Sequence, residues 1–223
     1  NIHKYKPQIE RELQRIMNQA NKKYGGNIVL NNINFTLKEG VACGIIGRNG
    51  SGKTLLLKAI CGLINSTEGT VEVFGKTIGK DIDFPEGTGL IIETPGFLPN
   101  LTGMKNLEIL AGLSGNIDKN KIKEAISFVG LDPNDKKTVK KYSLGMKQRL
   151  GIAQAIMEDP KLIILDEPMN SLDESGVEDV RKYILKQKEK GVSLILTSHN
   201  KDDIELLCDT VYSMDNGKIS LVK

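Results

Sequence analysis

Gly47-Arg48-Asn49-Gly50-Ser51-Gly52-Lys53-Thr54 has the residue types and spacing that hold a polyphosphate. The pattern G-x-x-x-x-G-K-T is a P-loop, in which glycines let successive backbone N–H groups turn toward one anion. The positive end of the following helix would face the same anion. Lys53 would reach the β- and γ-phosphates, and the Thr54 hydroxyl would face Mg²⁺. The flanks fit. Val41 to Ile46 is an apolar run like a buried strand, and Thr54 to Ile60 continues as a helix-like stretch. A purine nucleotide with magnesium is therefore expected.

Two further groups follow apolar runs. Asp166 and Glu167 end the run Leu162 to Leu165, where a cleft is a better reason for two carboxylates than stability. Beside a P-loop, Asp166 would hold Mg²⁺, directly or through water, and Glu167 would orient and polarise the attacking water. His199 follows the run Ser193 to Thr197 in the same manner. The carboxyl ends of strands are where α/β sheets bind ligands, so His199 is expected at the γ-phosphate, with Glu167 in reach. His3, the other histidine, sits in a polar stretch and is given no role.

Elements that would position these groups can be read around them. Pro7 to Ala20 places Ile9, Leu13, Ile16, Met17 and Ala20 on one helical face, while Ile16 to Ala20 also suits the start of a strand; both readings stay open. Gly25-Gly26 reads as a turn. Ile33, Phe35 and Leu37 alternate with Asn34 and Thr36, and Thr70 to Phe74 alternates again, giving an antiparallel β-layer. From Leu90 onward a short buried strand runs into Glu93, and helical spacing then dominates through Met104–Ala111, Ile122–Val129 and a stretch opened by Ser143. Val177, Val180 and Ile184 mark another helix, and Asp215-Asn216-Gly217-Lys218 reads as the tight turn of a final hairpin. The expectation is one α/β domain over 1–223, with a P-loop core (1–92 and 158–223), an antiparallel β-layer and a helical subdomain inserted at about 93–157.

Composition bounds the partners. In 223 residues, 31 basic and 28 acidic side chains leave a net charge of +3, and no basic stretch is interleaved with aromatics. Nucleic acid is not an expected partner. No apolar run approaches the roughly 18 residues needed to cross a bilayer, and no signal-peptide pattern is read. Any membrane role would pass through another polypeptide. Cys43, Cys61 and Cys208 lie far apart in apolar surroundings without metal-ligand spacing, and are expected as buried free thiols in a reducing compartment.

From Tyr24 to its end the chain resembles the ATP-binding subunit of an ABC transporter. The most telling stretch is Tyr142-Ser143-Leu144-Gly145-Met146-Lys147-Gln148-Arg149, similar to the family's L-S-G-G-Q signature and lying just upstream of the strand that ends in Asp166 and Glu167. The resemblance implies that Ser143 and Gly145 bind the γ-phosphate held by a second ATPase subunit, a homodimer or close homologue. A Ser-capped helix start is an anion site on physical grounds as well. Here Leu144 replaces the first glycine and Met146 the glutamine. Tyr24 stands where the family stacks an aromatic ring on adenine, Ser171-Leu172-Asp173 resembles the D-loop, and His199 matches the switch histidine. Glu93 stands where the family has the Q-loop glutamine, toward Mg²⁺ and the attacking water. An acid there resembles the bacitracin- and lantibiotic-resistance exporters. The implied protein is a cytoplasmic ATPase at the inner face of the membrane, which works with ATP and Mg²⁺ and drives a membrane-spanning subunit.

Two other readings compete. A soluble ABC-type ATPase of DNA repair or translation would need a long coiled-coil insertion or two ATPase units, and this chain has one unit and a short insert. A P-loop kinase acting on a small molecule explains Gly47 to Thr54 but leaves Ser143 to Arg149 without a role.

Overall fold

A computed structural model describes residues 13–93, 95–115 and 118–223. The described residues open with two long antiparallel strands, β1 (Leu13–Tyr24) and β2 (Asn27–Lys38), joined through Gly25-Gly26. Of the two readings for the amino-terminal stretch, the strand is the one adopted from Leu13 on. Its apolar residues do not alternate, but breaks in the β1–β2 register, with Gln19 at φ 47°, bury Ile16, Met17 and Ala20 together. A partner strand is gained there that an isolated helix would lack. The Pro7–Glu12 part of the helical reading lies outside the described residues.

β3 (Ala42–Ile46) then leads through the glycine-rich loop into α1 (Lys53–Ile60). Gly62, with φ 75°, follows the helix where a left-handed residue is needed to stop it. β4 (Glu68–Val73) and β5 (Lys76–Thr77) complete a four-stranded antiparallel sheet ordered β2-β1-β4-β5. This is the expected β-layer.

β6 (Thr88–Ile91) begins the second half. It is followed by the helices α2 (Gly103–Ser114), α3 (Lys119–Phe128) and α4 (Leu144–Ile156). β7 (Leu162–Asp166), α5 (Glu174–Glu189), β8 (Ser193–Thr197) and α6 (Lys201–Leu207) alternate next, and the hairpin β9 (Thr210–Asp215) and β10 (Lys218–Leu221) ends the fold. Asn216 and Gly217, at φ 45° and 71°, form the two-residue hairpin turn that twisted strands favour.

The second sheet has the order β10-β9-β3-β8-β7-β6, parallel except for β10. Its central strands are buried on both faces, as parallel strands usually are. Period-two alternation sends Ile163 and Leu165 of β7 into a core with α2 to α5, and Leu162 and Ile164 into a core shared with α1 and the antiparallel layer. Register decides the rest. Asp166 lies opposite Thr197 at the end of the β7–β8 pairing, so the carboxyl ends of β3, β7 and β8 meet at one edge.

Candidate functional site

The loop after β3 is built to leave amides free. Gly52 caps α1 in a left-handed conformation, φ 109°, and no side chain satisfies the first-turn N–H groups. Helix starts without such a cap offer their donors and their dipole to an anion. The Ser51 hydroxyl is buried with no hydrogen-bond partner. Lys53, itself buried, is folded back on the loop: its Nζ donates to the carbonyls of Gly47 at 2.8 Å and Arg48 at 3.3 Å. A free cradle, an unpartnered hydroxyl and a cation resting on its own backbone together suit a polyphosphate. Gly47 permits no replacement, because a Cβ there would run into the Met214 carbonyl.

Across from the loop, one chain of contacts joins three strand ends. Thr54 Oγ1 donates to Asp166 Oδ2 at 2.7 Å. Thr197 Oγ1 donates to the other oxygen, Asp166 Oδ1, also at 2.7 Å, and accepts from the Glu167 backbone N–H at 2.8 Å. Glu167 adopts φ 50°, a left-handed conformation that few side chains occupy without a reason. His199 Nε2 lies 2.9 Å from Glu167 Oε1, a buried oxygen that lacks a well-aligned hydrogen bond. Burial raises the Glu167 carboxyl above the ordinary carboxylate range. His199 and Lys53 oppose that shift, and the neighbouring Asp166 carboxylate adds to it. A carboxylate with a raised pKa is a better proton acceptor than an ordinary one.

These groups share one open cavity of about 510 Å³, lined by Arg48, Asn49, Gly50, Gly52, Lys53 and Thr54 together with Glu93, Asp166, Glu167 and His199. Leu144, Lys147 and Gln148 of α4 and Ser171 border it as well. Among the site residues read from the sequence, Tyr24, Gly47, Ser51, Ser143 and Gly145 are not on its wall. Tyr24 stands exposed at the end of β1, with the Lys22 ammonium 5.0 Å from its ring centre. Ser143 caps α4, accepting from the Met146 N–H at 3.1 Å, and is exposed. Gly145 abuts the Ser171 carbonyl, which a Cβ would approach to 3.2 Å. Glu93 reaches the cavity edge with its carboxylate paired to Lys58 Nζ at 2.7 Å.

Sequence reasoning gave no role to Thr197 or Lys58. The signal for Thr197 was its position at a strand end beside His199; its two hydrogen bonds depend on the β7–β8 register. Lys58 sits one turn past Thr54 on α1 and carries no local signal at all.

A family model described as ABC transporter matches residues 30–170. The uncharacterized ABC transporter ATP-binding protein YybJ of Bacillus subtilis (strain 168) is 46% identical over 198 residues, covering 89% of this chain and 91% of that protein. The bacitracin transport ATP-binding protein BcrA of Enterococcus faecalis is 44% identical over 200 residues; the match covers 89% of this chain and 65% of BcrA. The lantibiotic transport ATP-binding protein SrtF of Streptococcus pyogenes is 37% identical over 203 residues, covering 91% and 87%. Among solved structures, an ATP-binding subunit of an ABC transporter superposes with a TM-score of 0.85 at 25% identity, over 93% of this chain and 89% of that one. A dimeric post-hydrolysis state of the cassette MJ0796 bound to ADP and Pi gives 0.80 at 22% identity, over 95% and 97%.

Proposed function

The chain belongs to the ABC transporter family as an ATP-binding cassette that hydrolyses ATP, and we propose that it powers export of a peptide antibiotic or similar amphipathic compound through a separate membrane subunit. The cargo class rests on the bacitracin and lantibiotic relatives. Among the described residues no helix is long and apolar enough to cross a membrane. In this reading, which rests on the transporter relatives, the membrane path belongs to a partner and this chain works at the cytoplasmic face.

The observation that carries the reading is the unbroken contact line Thr54–Asp166–Thr197–Glu167–His199 in the cavity beside the P-loop. In this reading the Gly47–Thr54 amides and the α1 dipole receive the phosphates, with Lys53 leaving its two carbonyls to meet them. Magnesium takes one or two protein oxygens and fills its other positions from phosphate and water. The Thr54 hydroxyl and Asp166 carboxylate suit that demand, and no group of three or more acidic, His or Cys side chains capable of holding a metal by itself occurs among the described residues. When bound, the metal supplies charge neutralisation for the phosphates. Glu93 would join that shell only on leaving Lys58. Glu167 accepts the proton of the attacking water, and His199 contacts the γ-phosphate and steadies Glu167. Tyr24 stacks on adenine.

Ser143 and Gly145 complete the other half of each site from a second copy, or a close homologue, in a head-to-tail dimer around two ATP molecules. Residues about 93–157 act as a helical subdomain on the core 1–92 and 158–223, and the groove around Glu93 and the helical insert receives the membrane subunit. The deciding experiment is ATP-dependent dimerisation of Glu167→Gln, which should bind ATP without turning it over. Light scattering should report a dimer at saturating ATP and magnesium. A monomer, even with the membrane partner present, would overturn the mechanism.

A further inference from the structure

His199 is only half packed: its side chain is 48% exposed, and its contact with Glu167 fixes one ring nitrogen. The rest of its positioning comes from the turn that carries it. That turn is anchored by Ser198, whose buried Oγ accepts from the Asn200 N–H at 3.1 Å and so spans the His199 backbone. The same hydroxyl donates to Asp203 Oδ2 at 3.3 Å.

Asp203 is 1% exposed, an unusual place for a carboxylate on a short, otherwise ordinary helix. It is paired from α5: Arg181 donates to Asp203 Oδ1 through Nε at 2.8 Å and through a terminal nitrogen at 2.6 Å. The other terminal nitrogen of Arg181 donates to Glu178 at 2.7 Å. With the Asp203 side chain 2% and the Arg181 side chain 21% exposed, the pair contributes little net stability compared with apolar groups of the same volume, because the carboxylate loses its hydration. Stapling α5 to α6 is thus a poor reason for its presence. Orientation is a better one: the fixed guanidinium fork locks the carboxylate, and the carboxylate sets the direction of the Ser198 hydroxyl.

We propose that Asp203, held by Arg181, is a positioning residue that acts through Ser198 to hold His199 against Glu167. The inference rests on the hydrolytic role given above to His199. It assigns to α5 and α6 a function in the hydrolysis step that none of the nucleotide-facing groups supplies.

Ser198→Ala tests the link directly, since it removes both bonds of that hydroxyl, to the Asn200 N–H and to the Asp203 carboxylate. It should lower kcat by about tenfold while leaving KM for ATP within about twofold, the range expected for two such bonds. Asp203→Asn alone strands the arginine and could unfold the protein. The informative variant is therefore the double change Arg181→Met with Asp203→Leu, which removes both charges and keeps apolar volume. Its melting temperature should return close to wild type while kcat stays about two- to tenfold down, since the bond from Asn200 to Ser198 remains. The chain has only two histidines, so the ring-proton resonance of His199 can be assigned with a His3→Ala control. That resonance should move in Ser198→Ala and in the double variant at fixed pH.

Recovery of kcat together with melting temperature in the double variant would reduce the ion pair to a staple and overturn the inference. So would a His199 resonance unchanged in both variants. Failure of the underlying reading looks different: His199→Ala would then hydrolyse ATP at the wild-type rate.

Discussion

Thr197 donates to Asp166 and accepts from the Glu167 backbone, so removing one hydroxyl leaves two groups short of a partner. Thr197→Val keeps the shape of a residue with no exposed surface. It should cost about 1–3 kcal/mol, the penalty of an unsatisfied buried polar group, read as a lower denaturant midpoint. ATPase activity should fall with it, because Glu167 loses the contact that fixes its backbone. Glu167 also sets a pH dependence. Its folded pKa lies above the ordinary 4.5 because burial disfavours the charged form. The acid limb of kcat should therefore have its midpoint above 4.5, and Glu167→Gln should abolish that limb together with most of the rate, by about 10²-fold or more. Stability runs the other way. A raised carboxyl favours the fold while protonated, so that contribution is complete below 4.5 and is lost as pH rises through the folded value.

At the scale of elements, glycines mark where backbones must touch. A Cβ on Gly89 of β6 would collide with the Ala155 carbonyl of α4, and backbone cannot retreat as a flexible side chain can. Gly89→Ala should destabilise by about 1–3 kcal/mol or more, seen in thermal unfolding. It should also disturb the bearing of α4 on the cavity. Ser143→Ala separates capping from function on that helix. Loss of the cap costs about 1 kcal/mol, whereas loss of a phosphate contact would lower ATPase activity far beyond what that destabilisation explains. How legible each element was follows from the distance over which its signal acts. The strand, glycine loop and helix from Val41 to Ile60 are contiguous and were readable residue by residue, as was the Asn216-Gly217 turn. Strand ends at Glu167 and His199 were readable because apolar runs stop there. The Thr197 bridge was not, since it needs the register of two strands 31 residues apart in sequence. The pairing of Lys58 with Glu93 was hidden too, because it joins a helix to a loop 35 residues away in sequence. The amino-terminal stretch was ambiguous because Ile16, Met17 and Ala20 fit a helical spacing, and a strand buries all three only through bulges that pairing with the neighbouring strand reveals.

On the scale of the whole molecule, the parallel sheet divides two apolar cores, and all three cysteines lie beside it in the interior. Burial pushes each of Cys43, Cys61 and Cys208 up to about 12, so none is a thiolate at neutral pH. A thiol reagent should label none of them in the folded protein within minutes and all three in denaturant; fast labelling of the native chain would contradict the burial. The pair between Lys58 and Glu93 lies at the opposite extreme, its carboxylate 62% exposed at the cavity mouth. An attraction so open to solvent is screened over a Debye length of about 8–10 Å at ordinary salt, while the buried Asp166–Thr197 line is hardly touched. Added salt thus loosens one side of the nucleotide mouth and leaves the other fixed. The ionic strength of the medium becomes a dial on the Glu93 loop alone, and Glu93→Gln should remove the part of the salt response of nucleotide affinity that this pair contributes.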